Sequence, residues 1–227
     1  DEDTAIVSLI FVSLLPPLVS LSAQVRQYSL LLFFATLALY LFEKSLAESS
    51  PSSMLLSVLS LCLAILSHYS AAFFATSFGV YAILRIRKSR STVFFAWAIG
   101  QAAAVALFLF LYRTHISKLK DSSMAGVAAE GWLRRSYFHP GQDHWLLFVI
   151  GRTFGVFQFI AGHLAIGDVM GLCFIGAIVV LIRQKRSESQ PSKLHPAYWQ
   201  LAVLFTLPFF LNCAAALRRA YPFGGTR

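Results

Sequence analysis

The chain has 227 residues, of which 57% are hydrophobic and 13% are charged, and its mean hydropathy is +0.67. Several apolar runs approach the roughly 20 residues that a helix needs to cross a hydrocarbon core about 30 Å thick. This composition predicts an all-α, polytopic membrane protein. The formal net charge of +9 suits anionic lipid headgroups and phosphate-bearing ligands. The distribution of the basic residues argues against nucleic acid as a partner, because they form no single stripe with interleaved aromatic residues.

Cysteine usage and the chain ends add two expectations. Cys62, Cys173 and Cys213 each lie alone in an apolar run. Their spacing fits no metal site, so we expect small, buried hydrophobic side chains. The chain opens with Asp1-Glu2-Asp3 and shows no signal-peptide pattern. Both ends look cut, which predicts a fragment.

The first two predicted spans form a helical hairpin. One runs from Thr4 to about Leu21 and should kink or end near Pro16-Pro17, because proline removes a backbone donor and clashes with the preceding turn. The other runs from Tyr28 to Phe42. At the tip between them stands Arg26, whose guanidinium stays charged and must reach the headgroup region or face a polar cavity.

Two shorter apolar runs follow, from Met54 to Ser67 and from Ala71 to Leu84. Together they are too long for one untilted span. We therefore expect a second hairpin, with His68-Tyr69 at its tip. A basic block closes it: Arg85, Arg87, Lys88 and Arg90.

Val93 to Tyr112 is the clearest single span, and the polar segment 113–144 after it is the only long loop expected outside the membrane. His139, Asp143 and His144 in this loop have loose metal-ligand spacing. A turn at His139-Pro-Gly explains them better, so no metal ligand is assigned.

The next apolar stretch is interrupted by Arg152, His163 and Asp168. We interpret Trp145 to Gly162 as a helix at the membrane interface, because Arg152 would be costly at the bilayer centre, and Ala165 to Ile182 as the true span. Asp168 is interpreted as the polar start of that helix rather than a proton-relay carboxylate.

Two glycine pairs in this stretch have the GxxxG spacing that lets helices approach closely. They are Gly151 with Gly155 and Gly167 with Gly171. Such pairs also occur often by chance.

A last span from Tyr198 to Leu217 completes about seven spans and one membrane domain over residues 1–227. The basic connectors around Arg87 and Lys185 then share one side, which the positive-inside rule makes cytoplasmic. Both hairpin tips and the loop 113–144 lie on the opposite, extracytoplasmic face. This parity fails if Leu146 to His163 crosses the membrane.

The extracytoplasmic face collects arginine, tyrosine and histidine side chains. Guanidinium groups pair bidentately with phosphate oxygens, so this set predicts a clamp for a lipid-linked phosphate. Its members are Arg26, Tyr28, His68, Tyr69, Arg218, Arg219, Tyr221 and Arg227.

Three segments with these residues carry a resemblance to a known family. Leu21-Ser-Ala-Gln-Val-Arg-Gln-Tyr-Ser-Leu30 resembles the s-x-e-x-R-x-Y-s-l segment of the glycosyltransferase C superfamily, in the branch of protein O-mannosyltransferases and lipid A aminoarabinose transferases. Ser67-His-Tyr-Ser-Ala-Ala-Phe73 resembles its t-H-Y-x-a segment, and Tyr221-Pro-Phe-Gly-Gly-Thr-Arg227 its Y-P-x-G-x-x-R ending. The three occur in the family's order.

The resemblance implies an inverting membrane glycosyltransferase that moves a sugar from a polyprenyl-phosphate donor to an acceptor at the extracytoplasmic face of a bacterial plasma membrane. It implies that six residues bind the donor phosphate: Arg26, Tyr28, His68, Tyr69, Tyr221 and Arg227. A divalent metal is compatible with the superfamily, and no acidic pair here can be assigned to one. The resemblance does not identify the acceptor.

In these families a carboxylate in the first extracytoplasmic loop acts as general base. That loop precedes the R-x-Y segment by two or more further helices, whereas Asp1-Glu2-Asp3 lies only one span before Arg26. We therefore interpret these acids as an ordinary connector. The fragment then lacks the catalytic carboxylate, and alone it is expected to be inactive.

Other readings of the same residues stay open. A transporter or flippase would use the same basic cavity without breaking a bond, although Pro16-Pro17 and Pro208 have dissimilar surroundings and indicate no internal repeat. A structural membrane subunit would not need its basic residues to converge. For Arg26 the simpler reading is an arginine that snorkels to the interface, and for His68 a histidine at a helix end.

Overall fold

The computed structural model describes residues 2–14, 27–87, 89–120, 133–184 and 197–223, together with residues 127, 130 and 131. Within these ranges there are eight helices of 13 or more residues and no strand. They are α1 (Glu2–Leu14), α2 (Tyr28–Glu48), α3 (Pro51–Ser67), α4 (Ala71–Ile86), α5 (Ser91–Leu111), α6 (Trp145–Ala161), α7 (Leu164–Gln184) and α8 (Tyr198–Leu217). The prediction of an all-α membrane helical bundle is confirmed.

Four segments are long and apolar enough to cross a membrane, judged by length and composition: Tyr28–Glu48, Ser91–Ile116, Leu164–Arg183 and Tyr198–Leu217. The helices α3, α4 and α6 are apolar but shorter. These seven helices match the predicted second to seventh spans and the predicted interfacial helix. Of the predicted first span, the described part is α1, and Pro16-Pro17 lies outside it.

Two helices are longer than the apolar runs that predicted them. Helix α2 continues past Phe42 to Glu48, because Glu, Lys, Ala and Leu favour helix as strongly as the apolar residues before them. It ends before Ser49, which has a φ of 53°. Ser50 then caps α3, since its side chain accepts the N–H of Ser53 at 3.3 Å.

Helix α5 likewise continues past the predicted end at Tyr112. A π-helical turn spans Tyr112–Ile116, and a last α-helical turn spans Ser117–Lys120. The polar loop therefore begins later than the predicted residue 113.

The expectation of buried cysteines is wrong for Cys173 and met only in part for the other two. Cys62 and Cys213 are half-buried and Cys173 is exposed. Each lies on a helix, and a small apolar side chain on a membrane helix can face lipid without being buried in protein.

The chain divides into two compact units. We call Asp1–Ser29, Val127–Ala177 and Asn212–Arg227 the loop unit, and Leu30–Gly126 with Ile178–Leu211 the core unit.

The core unit is built around the packing of α3 on α4 and α5. The α3–α4 hairpin breaks at residues 68–70, where the sequence predicted its tip. A Cβ on Gly100 of α5 would lie 2.3 Å from a methyl carbon of Val58 on α3, so a glycine is needed at this crossing. The Ser57 hydroxyl donates to the Ala38 carbonyl at 2.6 Å and links α3 to α2.

In the loop unit, α6 and α7 approach closely at one of the two predicted glycine pairs. A Cβ on Gly167 would lie 2.3 Å from the Cα of Gln158, and one on Gly171 would lie 3.0 Å from the Phe154 ring. Gly151 and Gly155 have nothing within 4 Å of an added Cβ. The spacing therefore predicted a helix contact correctly for one pair and not for the other.

Asp168 occupies the second turn of α7 rather than its start. Its Oδ1 accepts a hydrogen bond of 2.7 Å from the Gln158 side chain of α6. The interpretation as the polar start of a helix is therefore corrected, because the carboxylate joins two helices at their crossing.

Candidate functional site

Four of the six residues predicted to bind the donor phosphate lie in the described part of the chain. They divide between the units: Tyr28 and Tyr221 in the loop unit, His68 and Tyr69 in the core unit. Arg26 and Arg227 lie outside the described residues. The structure gives the local surroundings of these four residues, and their convergence on one ligand stays a prediction.

His68 occupies the turn between α3 and α4, with an extended backbone at φ −159° and ψ 136°. Its ring Nδ1 lies 3.1 Å from the backbone nitrogen of Ser70 and 2.7 Å from the Ser70 hydroxyl. A backbone N–H can only donate, so Nδ1 must be an acceptor and carries no proton. The proton of the neutral ring therefore sits on Nε2, which makes that nitrogen a hydrogen-bond donor.

Burial favours this neutral form of His68. Desolvation lowers the pKa of the imidazole below its ordinary value of 6.5. His68 thus acts near neutral pH as an uncharged hydrogen-bond donor, so any positive charge at the site has to come from arginine. The histidine also ties the turn to α4, because it accepts the N–H of the residue just before that helix.

Tyr69 is half-buried in the same turn. Its carbonyl accepts the N–H of Ala72 at 3.1 Å, so its backbone leads directly into α4. Tyr28 is the first residue of α2 and is 39% exposed.

The segment that begins at Tyr221 is attached to the polar loop. The N–H of Phe223 donates to the Ser136 carbonyl at 2.8 Å, and the N–H of Phe138 donates to the Ala216 carbonyl near the end of α8 at 3.4 Å. Phe223 is 2% exposed and Ser136 is fully buried. The start of the Y-P-x-G-x-x-R resemblance is therefore packed against the loop 133–138.

The sequence did not predict a buried polar cluster in the core unit. The Tyr81 hydroxyl donates to Glu43 Oε1 at 2.5 Å, and Arg85 Nη2 donates to Glu43 Oε2 at 3.0 Å. The Arg85 side chain is only 7% exposed. Tyr81 and Arg85 are four residues apart on α4 and so share one helix face. This spacing is the sequence signal that could have prompted a search for an acidic partner on another helix.

This cluster lies toward the C-terminal end of α4, whereas His68 precedes the N-terminal end of that helix. It therefore joins α2 to α4 away from the predicted site. Arg85 is neutralised by Glu43, so the exposed Arg87 and Arg90 carry the positive charge of that connector among the described residues.

Asp143 forms part of a turn. Its Oδ2 accepts the N–H of His139 at 2.9 Å, and the His139 Nε2 lies 2.9 Å from the Arg134 carbonyl. Over the ranges that the structure describes, no three His, Cys, Asp or Glu side chains are grouped as a metal site.

We compared the sequence with known protein families. Residues 1–113 match the family model described as dolichyl-phosphate-mannose-protein mannosyltransferase. The chain belongs to this glycosyltransferase C-type family. The matched region, residues 1–113 of this mannosyltransferase-family protein, contains Arg26, Tyr28, His68 and Tyr69.

The mannosyltransferase match ends within the π-helical turn after α5. The polar loop and the segment from Tyr221 to Arg227 lie beyond it. No curated protein and no solved structure matches the chain. The family supports a membrane glycosyltransferase of the glycosyltransferase C type and implies a lipid-linked sugar donor.

Proposed function

We propose that this mannosyltransferase-family protein transfers a sugar, with inversion, from a polyprenyl-phosphate donor to an acceptor at the extracytoplasmic face of a bacterial plasma membrane. The observation that carries the proposal is the family match, which includes both the Arg26 and the His68 segments. The whole of residues 1–227 forms one membrane domain in this proposal.

Within it, six residues bind the phosphate of the donor. Arg26 supplies the positive charge, and His68 supplies a neutral Nε2–H donor whose direction is set by its bonds to Ser70. Three tyrosines supply hydroxyl donors, and Arg227 closes the site. The set is Arg26, Tyr28, His68, Tyr69, Tyr221 and Arg227.

The chemistry explains why an arginine is needed. The acceptor oxygen forms a bond to the anomeric carbon as the bond from that carbon to the phosphate oxygen breaks. The donor phosphodiester has one negative charge, and the departing polyprenyl phosphate develops a second. A guanidinium at the phosphate therefore binds the transition state more tightly than the bound donor, which is the condition for raising the rate. The acceptor proton goes to a carboxylate that none of these six residues supplies.

The test compares Arg26→Ala and Arg26→Lys in the full-length protein, reconstituted with a radiolabelled polyprenyl-phosphate sugar. Loss of one donor to a developing charge lowers kcat by about 10²- to 10³-fold, so Arg26→Ala should show a loss of that order. Arg26→Lys keeps the charge without the bidentate geometry and should lose less.

Arg90→Ala is the matched control, because Arg90 is an exposed arginine at the start of α5. Its turnover should equal that of the wild type. Wild-type turnover in Arg26→Ala would remove Arg26 from the site.

A further inference from the structure

Four arginines of the loop unit lie on two segments that are bonded together. Arg134 and Arg135 form most of a 3₁₀ turn, and Arg218 and Arg219 follow the end of α8. The backbone hydrogen bonds from Phe223 to Ser136 and from Phe138 to Ala216, given above, hold the two segments side by side. All four arginine side chains are exposed.

These like charges have no carboxylate to neutralise them in the described part of the chain, where none lies within 4.0 Å of their guanidinium groups. Two acids lie near these arginines along the loop: Asp143 accepts the backbone N–H of His139, and Glu130, four residues before Arg134, is exposed. Like charges on adjoining segments repel each other, so this arrangement favours a bound anion.

Arg219 has a backbone conformation that favours glycine. Its φ is +55°, its N–H donates to the Ala216 carbonyl at 2.9 Å, and the N–H of Ala220 donates to the Ala215 carbonyl at 2.8 Å. This is the Schellman ending of a helix, in which glycine is the usual residue at the left-handed position. The negative end of the helix dipole explains a cation near here, but it does not explain an arginine in place of glycine.

Tyr137 supplies a neutral donor beside Arg219. Burial raises the pKa of the Tyr137 hydroxyl, and the positive charge of Arg219 opposes that rise. The hydroxyl therefore keeps its proton at neutral pH and lies near enough to Arg219 for their charges to interact.

The surface lies where a membrane lipid can reach it. Helix α8 is one of the candidate membrane spans, and Arg218 and Arg219 directly follow its last residue. Basic residues that follow a membrane span attract anionic headgroups.

We propose that Arg134, Arg135, Arg218 and Arg219 form a binding surface for the phosphate group of a membrane lipid. Each guanidinium offers paired N–H donors that match phosphate oxygens, and such charge-assisted bonds are stronger than neutral ones. The surface does not depend on the proposed sugar transfer, because binding involves no bond cleavage.

The test uses the full-length protein in neutral lipid nanodiscs with photoactivatable phosphatidylglycerol or photoactivatable farnesyl phosphate. Cross-links to residues 133–144 and 212–223 are quantified by mass spectrometry. Wild type should cross-link to at least one of these lipids, and Arg134→Ala/Arg135→Ala should lower that yield by about tenfold, as expected for the loss of bonds to a charged group. A phosphatidylglycerol preference identifies a bulk headgroup, and a farnesyl phosphate preference identifies a polyprenyl monophosphate, which is the product that sugar transfer would leave.

Arg219→Gly keeps the test valid if the double variant misfolds. Glycine fits the left-handed position, so this variant should unfold at the wild-type temperature or higher while it loses cross-links. Arg87→Ala/Arg90→Ala removes two exposed arginines from the core unit and should leave cross-links to these two segments unchanged.

Equal yields in wild type, Arg219→Gly and the Arg134/Arg135 double variant would overturn the proposal. So would equal cross-linking by a diacylglycerol probe that lacks phosphate, or the absence of a cross-link to either lipid in the wild type.

Discussion

Gly167→Ala tests the closest helix contact in the loop unit. An added Cβ would lie 2.3 Å from the Cα of Gln158 and 2.4 Å from its backbone nitrogen. Carbon atoms in contact are about 3.5–4.0 Å apart, so α6 and α7 would have to separate by about 1 Å or more. Because both obstacles are backbone atoms, no side-chain rotation can relieve the overlap.

The expected loss of stability has two parts. Overpacking at a tight contact destabilises by about 1–3 kcal/mol. Separation also stretches the 2.7 Å hydrogen bond from Gln158 to Asp168, which contributes about 1 kcal/mol. The substitution should therefore lower the free energy of unfolding by about 2–4 kcal/mol relative to a matched glycine substitution.

Gly155→Ala is that matched control, because it makes the same change in α6 where an added Cβ meets nothing within 4 Å. Both variants gain about 0.8–1 kcal/mol of helix propensity, so the difference between them isolates the contact. The assay is denaturant unfolding of the purified full-length protein in mixed micelles. Equal stability of Gly167→Ala and Gly155→Ala would refute the close crossing.

Two further predictions concern the core unit. Glu43→Gln should destabilise the protein by about 3 kcal/mol, because it removes the carboxylate that balances the Arg85 charge at a side chain only 7% exposed. Adding Arg85→Met should recover most of that loss in thermal unfolding, and no recovery would contradict the pairing. The His68 pKa is lowered in the folded state, so its contribution to stability is complete above pH 6.5 and is lost as the pH falls through the lowered value. His68→Asn keeps an acceptor for the Ser70 N–H and should abolish this part of the pH dependence, whereas an unchanged profile would exclude His68 as its source.

The helices could be predicted from the apolar runs, but the C-terminal ends of α2 and α5 could not. The apolar run ends at Phe42, whereas α2 continues to Glu48 because the residues that follow are also good helix formers. The GxxxG spacing occurred twice, and only Gly167 with Gly171 contacts another helix. Periodicity within one helix does not indicate which of its faces has a partner.

The residue types of the candidate site could be predicted from short segments, but their chemical state could not. The tautomer of His68 depends on Ser70, whose N–H and hydroxyl meet the ring only in the folded turn. The Glu43–Arg85 pair joins residues 42 positions apart, which no local pattern reveals. The attachment of Phe223 to Ser136 likewise depends on a distant segment.

The central claim is that the protein breaks the bond between sugar and phosphate. The most direct measurement reconstitutes the full-length protein with a radiolabelled polyprenyl-phosphate sugar and follows sugar release and lipid movement between leaflets in the same vesicles. Sugar release that falls about 10²-fold or more in Arg26→Ala, with lipid movement at the level of empty vesicles, is the predicted result. Rapid lipid movement with the sugar still attached would contradict it and identify a transporter.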